Sequence, residues 1–462
     1  MLGKQLVYDV LTAALSGGGD FAELFVENTE KNNLTMINGA VEKALWGVDY
    51  GCGVRIFHGY GAVYAYTNDT SRGNLIKIAR EASQAARDAK SGSVQVMDFH
   101  TLSFEDVHPV LISPAHGPKK IAAEKLRIAS DAAYAYNSRV SQTAGAMMGV
   151  AQDVLIANSD GLWAEDRRAR TRVMLEAVAS SMNEKQVGSM NPGASAGFEF
   201  LDSVNFQEMG TSCANIAVTM LDAQLCPSGR MPVIIDNGFG GVIFHEACGH
   251  SLEATSVAIK SSVFSESLGK QIASEKVTAI DDGTMPGEWG SLNIDDEGCK
   301  TRRNVLIENG VLKSFLIDRL NGLRMGAAPT GSSRRESYKY APTSRMTNTF
   351  IANGNDREAD IIADTEYGLY AKKMGGGSVL PATGEFNFAV TEGYMIRNGK
   401  IAEPVRGATL IGKGSEVLLN IDRVGGNLEL GQGMCGSISG SIPTNVGQPM
   451  IRVKELTVGG RR

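Results

Sequence analysis

The sequence predicts an α+β protein: an N-terminal domain of helices packed on an antiparallel sheet, followed by a mainly-β C-terminal domain that carries one chemically distinctive helix. Three observations point there. Glycine is abundant, with 54 among 462 residues, while aromatic residues make up only 6%, a balance that suits turns and strands better than a helical bundle. Ala-rich stretches of helical period alternate with short β-branched and aromatic runs in the first half. After the Pro/Gly/Ser-rich segment CPSGRMP (226–232) the long helical stretches stop. These features set the expected domains at 1–226 and 227–462.

MLGKQLVYDVLTAALSG opens the chain. Asp9 interrupts its apolar run, and Leu6, Val10, Leu11, Ala14 and Leu15 recur at helical spacing, which reads as an amphipathic surface helix rather than a signal peptide. AELFVEN, NLTMING, VEKALWG, YGCGVRIFHG and GAVYAYTND follow as short antiparallel strands separated by Gly, Asn and Asp. A helix capped by Thr70 or Ser71 runs to a stop at Ser91-Gly92, and residues 93–116 form a connecting loop with Pro109 and Pro114. KKIAAEKLRIASDAAYAY is a second long helix. Another strand set extends from Val140 to about Met182, and a third amphipathic helix lies around Asn215–Leu225. Beyond 226 the strand PVIID leads into NVLIENGVLKSFLID and FNFAVTEGYMIRNGKI, each with an Asn-Gly hairpin signal (309–310 and 398–399), and then GATLIG.

Hydrophobic residues at 43% and charged residues at 21% provide for a substantial core. A formal net charge of −6 disfavours nucleic acid as a partner. No run approaches the ~20 apolar residues of a membrane span. Six scattered cysteines without a CxxC read as free thiols in a reducing compartment, so a soluble cytoplasmic protein is expected.

Two of the six histidines fall within six residues, His245-Glu246-Ala247-Cys248-Gly249-His250, an HExxxH in the context GGVIFHEACGHSLEA. Five helical steps turn about 500°, which leaves the two imidazoles roughly 140° apart. Both can face one metal only if the turn widens into a π-bulge or the helix breaks, and Gly249 is the residue expected to permit it. Two imidazoles leave zinc short of one protein ligand and one open position. Glu253, close in sequence, and Cys435, in the Gly/Ser-rich GQGMCGSISG expected to be a loop, are both candidates for the third ligand. Cys248 would point elsewhere. Glu246 is the natural general base for a water on that metal; the plainer alternative makes Glu246 and His250 a surface pair at i and i+4. His58, His100, His108 and His116 lack partner spacing and are expected to be structural.

HEACGHSLEA (245–254), VTAIDDGTMPGEWGSLNIDDEG (277–298), NVLIENGVLKSFLIDRLN (304–321), PTGSSRRESYKYAPTSRMTNT (329–349) and MGGGSVLPATGEFNFAVTEGYMI (374–396) resemble the TldD/PmbA family of metalloproteases, also called modulators of DNA gyrase, in its TldD-type branch. The likeness covers nearly the whole chain and is densest from Met231 onward. The resemblance implies zinc held by His245, His250 and Cys435, with Glu246 as catalytic base. It further implies hydrolysis of unfolded or small modified peptides that add as an extended strand, by a homodimer or a heterodimer with a TldE/PmbA-like subunit. The rival expectation is a catalytically silent peptide-binding scaffold that needs a partner chain; a metal hydrolase of a non-peptide amide would use the same residues. Arg334, Arg335 and Tyr338, together with the string Arg345–Thr349, belong to the family's recognisable segments and are expected to line the substrate cleft or stabilise an oxyanion; the alternative is that Arg334, Arg335 and Glu336 form a structural ion network. Gly375 and Gly376, in a run of three glycines, would let a substrate backbone approach closely, or else make a tight turn; no GK[ST] follows, so the run is not a phosphate loop.

Overall fold

A computed structural model describes residues 1–86, 94–380 and 383–460; the expected helix stop at Ser91-Gly92 lies outside them. Helix α1 (Lys4–Leu15) buries Val7, Val10, Leu11, Ala14 and Leu15, the face its periodicity marks. The expected short strands instead form two long ones, β1 (Phe21–Ile37) and β2 (Ala40–His58). They are joined by Asn38-Gly39 at φ 51° and 74°, the left-handed pair a tight hairpin needs. The glycines that read as breaks are interior strand residues: Phe25 lies opposite Gly53 and Glu27 opposite Gly51. A Cβ at Gly51 or Gly53 would collide with the ring of Tyr338 or Tyr64, so both positions serve close packing rather than chain reversal.

The hairpin continues through β3 (Gly61–Thr67) into α2 (Arg72–Ala85), which follows Ser71 as expected. Then come β4 (His100–Thr101), α3 (Lys119–Tyr136), β5 (Val140–Asn158), β6 (Leu162–Ser180), β7 (Lys185–Met190) and β8 (Gly193–Ala194). Strand order is β3-β2-β1-β5-β6-β4, with β7 and β8 also pairing β6. Along β1 the even-numbered Leu24, Val26, Leu34 and Met36 face the helices: the first two sit in a core with α1 and α2, the last two in a core with α3 and α4. The odd-numbered Phe25 packs on the opposite face with Ile294 and Tyr338. Helices thus cover one face and residues from the second half of the chain cover the other.

Helix α4 (Phe206–Asp222) begins nine residues before the expected Asn215. Asn205 caps it, its side chain accepting the Glu208 N–H at 3.1 Å. Its first turns bury Met209, Gly210 and Cys213, and Gly210 lets the Ala129 backbone of α3 come close. Small residues on the buried face gave the periodicity little to register.

From residue 229 onward two further large sheets form, with a short two-stranded one, Ser333–Arg334 against Thr343–Ser344. Strands Gly229–Ile235, Tyr367–Leu380, Glu385–Arg397, Thr409–Lys413 and Ile451–Gly459 close on themselves, because Tyr367–Leu380 pairs with both Gly229–Ile235 and Glu385–Arg397. A six-stranded sheet runs in the order Val311–Leu312, Arg303–Glu308, Ala279–Asp282, Asn348–Ile351, Gly440–Gln448, Glu429–Ser437. Both Asn-Gly hairpins form as expected, with φ 48° and 82° at 309–310 and 51° and 69° at 398–399. Between these sheets sits α5 (Val242–Ala247), burying Val242, Ile243, Phe244 and Ala247 in a common core. Among the described residues no helix is long and apolar enough to cross a membrane.

Candidate metal centre

The HExxxH does not lie on one helix. Helix α5 ends at Ala247, Cys248 takes φ −133° and ψ −47°, and Gly249–Leu252 forms a 3-10 turn. The chain therefore breaks rather than bulges, and the irregular dihedrals fall on Cys248. Gly249, expected to supply conformational freedom, does not adopt positive φ; it supplies room, since a Cβ there would meet the Met346 sulfur. The break swings His250 round until the two imidazole centroids are 4.9 Å apart at 83°.

Cys435 completes the group. It lies on strand Glu429–Ser437, paired with Ile442, not in the loop its Gly/Ser-rich surroundings suggested. Gly431 and Gly433, two apart, leave that strand bare where Phe239 rests against it, so the turn leading into α5 can approach. The Cys435 Sγ is 3.3 Å from His245 Nε2 and 3.3 Å from His250 Nε2, and the three ligand atoms all lie within 4.8 Å of one another. Two nitrogens and a thiolate around one tetrahedral zinc would sit ~3.5 Å apart at bond lengths of ~2.0 and ~2.3 Å. The donor set and spacing therefore fit zinc.

Electrostatics within the group are steep. Burial alone would push the Cys435 thiol up, but the adjacent His245 and His250 reverse this and hold it well below the usual thiol range. Burial works against charge on His250 as well; the Glu253 carboxylate and Cys435 override it and hold His250 well above the usual imidazole range. Glu253 accepts from His250 Nδ1 at 3.2 Å, on the ring edge away from Cys435, where it fixes the imidazole's orientation. Arg345, fully buried, donates to the carbonyl of Cys435 and to Ser439 Oγ and the Gly440 carbonyl at 2.8 and 3.0 Å. It pins the strand that carries the thiol and the turn that follows it. Arg345 belongs to the Arg345–Thr349 string that the family resemblance marks, but nothing in that pattern assigns it to the Cys435 backbone; the i, i+3 spacing of His250 and Glu253 was the one available signal for the latter.

Glu246 Oε2 is 3.8 Å from His250 Nε2. With His245, Cys435, Gly376 and Met434 it lines a cavity of about 160 Å³. Gly376 also lines a neighbouring cavity of about 540 Å³ together with Gly375; both glycines sit within strand Tyr367–Leu380, where the pairing shifts register. Arg334, Arg335 and Tyr338 lie elsewhere, with no contact to His245, Glu246, His250 or Cys435. Arg335 pairs with Glu23 at 2.8 Å and stacks 4.1 Å over Phe25. Tyr338 donates its N–H to Glu27 at 2.7 Å and its hydroxyl to Asp49 at 3.0 Å. Arg334 donates to the Met346 carbonyl at 2.9 Å, and Glu336 accepts the Ser441 N–H at 2.7 Å. Among the other histidines, His108 Nδ1 accepts the Gly287 N–H at 3.2 Å and His116 pairs with Glu30 at 3.2 Å.

Three family models match in chain order: PmbA/TldA metallopeptidase domain 1 at residues 22–86, the central domain at 116–221 and the C-terminal domain at 228–460. The chain belongs to the PmbA/TldD metallopeptidase family. Within it, the Haemophilus influenzae metalloprotease TldD homolog is 35% identical, over 99% of this chain and 97% of its own length. A zinc metalloprotease TldD homolog of Saccharolobus solfataricus is 32% identical over 53% of this chain and 54% of its own. Thermococcus kodakarensis TldE shares the fold, with a TM-score of 0.79 at 17% identity, across 98% of this chain and all of the other. The C-terminal model of the PmbA/TldD family spans every residue of the His245, Glu246, His250 and Cys435 cluster.

Proposed function

We propose that this chain is a zinc-dependent peptidase that hydrolyses unfolded or small modified peptides, with His245, His250 and Cys435 as metal ligands and Glu246 as general base. The observation that carries the reading is the convergence of two imidazoles and a thiol on one point, beside a cavity lined by His245, Cys435 and the Glu246 carboxylate. Zinc bound there would act as a Lewis acid and bring the pKa of a coordinated water to ~7.

The chain's own residues supply the rest. Glu246 is placed to take the proton of the attacking water and to return it to the leaving amine. Glu253 keeps the His250 ring turned toward Cys435, and Arg345 holds the Cys435 strand. Strand Glu429–Ser437 ends its sheet, so an extended peptide can add along its outer edge beside Cys435, although the carbonyls of Gln432, Gly433 and Cys435 already accept from Arg172, Trp289 and Arg345. Backbone pairing selects little for side chains, which suits unfolded substrates. Gly376, on the opposite wall, presents no side chain to the peptide.

Assembly with a second subunit accords with the free edge of β2, where Val41, Leu45, Trp46 and Val48 are 45–59% exposed. A TldE-like partner accords with the shared fold of TldE.

Glu246→Gln decides between peptidase and scaffold. In zinc-loaded protein the substitution should lower peptide cleavage by at least ~10²-fold while metal content, read by atomic absorption, stays at the wild-type value. Equal cleavage by the variant would remove Glu246 from the mechanism, and chelator-insensitive peptide binding without cleavage by the wild type would favour the scaffold.

A further inference from the structure

A second and larger chamber, about 570 Å³, lies between the odd-numbered face of the N-terminal sheet and the segment 334–340. Six lysine and arginine side chains line it against four carboxylates, in a chain whose formal net charge is −6. Two of the arginines are compensated. Arg168 pairs with Asp166 and Asp296 at 3.2 and 2.6 Å, and Arg335 pairs with Glu23.

Arg170 and Arg334 are not. Arg170 donates only to the carbonyls of Trp289 and Ser291, at 3.2 and 3.4 Å. Arg334 donates only to the Met346 carbonyl. Among the described residues neither guanidinium has a carboxylate at ion-pair distance; Asp296 attracts both from farther off but is already paired with Arg168, and the two arginines are only 9% and 2% exposed. Arg335 adds a buried Nε with no hydrogen-bond partner. Burial first, and then the charge of Arg168 beside it, pushes Arg170 down to about 10; burial and the charge of Arg170 push Arg334 down to about 9. A buried, unpaired guanidinium is costly unless an anion completes it, and the planar fork matches a carboxylate bidentately.

The chamber is also tied to the metal centre. Met434 lines both this chamber and the cavity of Glu246. Met346, whose carbonyl receives Arg334, lays its side chain against Gly249 of the motif.

We propose that Arg170 and Arg334 form an anion subsite that holds a carboxylate of the peptide, its C-terminus or an Asp or Glu side chain, away from the bond cleaved beside Glu246. This inference builds on the peptidase reading. The test uses zinc-loaded full-length Glu246→Gln protein and a labelled, unstructured Gly/Ser/Ala peptide in three forms: free acid, C-terminal amide, and amide with one Glu near the end. Fluorescence anisotropy should show the acid binding at least ~10-fold tighter than the plain amide. Arg334→Gln, and independently Arg170→Gln, should erase that preference while leaving amide affinity unchanged, with Arg334→Lys restoring part of it. If the Glu-bearing amide binds as tightly as the acid, the subsite stands and reads side-chain carboxylates; if it matches the plain amide, the subsite stands and reads the terminus. Equal binding of all three forms, or a preference that survives both Gln variants, overturns the proposal; the three-peptide comparison needs no arginine variant to fold. Should wild-type protein cleave no peptide while the arginine-dependent preference persists, the peptidase reading falls and the subsite remains.

Discussion

Cys435 acts on its neighbours out of proportion to its size. It faces both motif imidazoles at 3.3 Å, so Cys435→Ala should leave two nitrogen donors and lower zinc stoichiometry below one per chain at matched free zinc; unchanged stoichiometry would strike Cys435 from the ligand set. Asp281 illustrates burial acting on a single carboxyl. It is completely buried, and its pKa is pushed up to about 6 by burial, against the restraining hydrogen bonds of Thr347 and Thr349. Below the unfolded pKa of 3.8 both states hold the proton. Between there and about 6 the unfolded carboxyl ionises first, so stability falls as pH rises, by a total on the order of 3 kcal/mol. Asp281→Asn cannot ionise. Denaturant midpoints of wild type should therefore drop relative to Asp281→Asn between pH 4 and 6, and parallel curves would disprove the shift.

At the scale of the element, the decisive feature is the six-residue helix α5 and its break. The need for a break followed from the five helical steps between the histidines, at ~100° per residue; that Val242, Ile243 and Phe244 form the first turn of this helix did not follow from the sequence. Where the break falls was not legible, because Met346, remote in sequence, occupies the space beside Gly249. The last residue of α5, just before the break, is fixed in the same manner: a Cβ at Gly414 would collide with the Ala247 backbone. Gly414→Ala should thus displace the C-terminal end of α5, destabilise the protein by ~1–3 kcal/mol, and weaken zinc retention on dialysis against a mild chelator. Full retention with a wild-type melting curve would show that α5 tolerates the shift. Strand Glu429–Ser437 teaches the converse. Its glycines read as a loop, yet they are what lets the turn before α5 lie against a strand.

Across the whole molecule, a buried ionic cluster joins the first sheet to the later segments. Glu23 pairs with Arg55 and Arg335, Arg55 with Glu297, and Arg168 with Asp296, all at 2.6–2.8 Å and nearly without exposure. Burial would raise the Glu23 carboxyl, but Arg55 and Arg335 hold it below its ordinary value. Glu23→Ala leaves two arginines facing each other without their shared anion and should cost about 3–5 kcal/mol, measured by urea denaturation. A loss under ~1 kcal/mol would mean that Glu297 and Asp296 compensate. The RRESY string (334–338) lies here, so its sequence pattern marks the contact between the two halves as well as the charged chamber beside it.

Sequence alone determined what short-range periodicity and rare chemistry encode: the α+β class, helices α1 to α3, the Asn-Gly hairpins, and the HExxxH that sets His245, Glu246 and His250 within one short segment. It also narrowed the remaining donor to a few residues, Cys435 among them. Tertiary structure alone decided the closure of five strands within the second eight-stranded sheet, the placement of Cys435 against histidines 185 and 190 residues away, the outward role of Glu253, and, among the described residues, the lack of a contact-distance carboxylate for Arg170 and Arg334. Helical and strand periods repeat within a few residues and leave a local trace. Convergence across two sheets depends on how every intervening segment packs, and no local pattern records it.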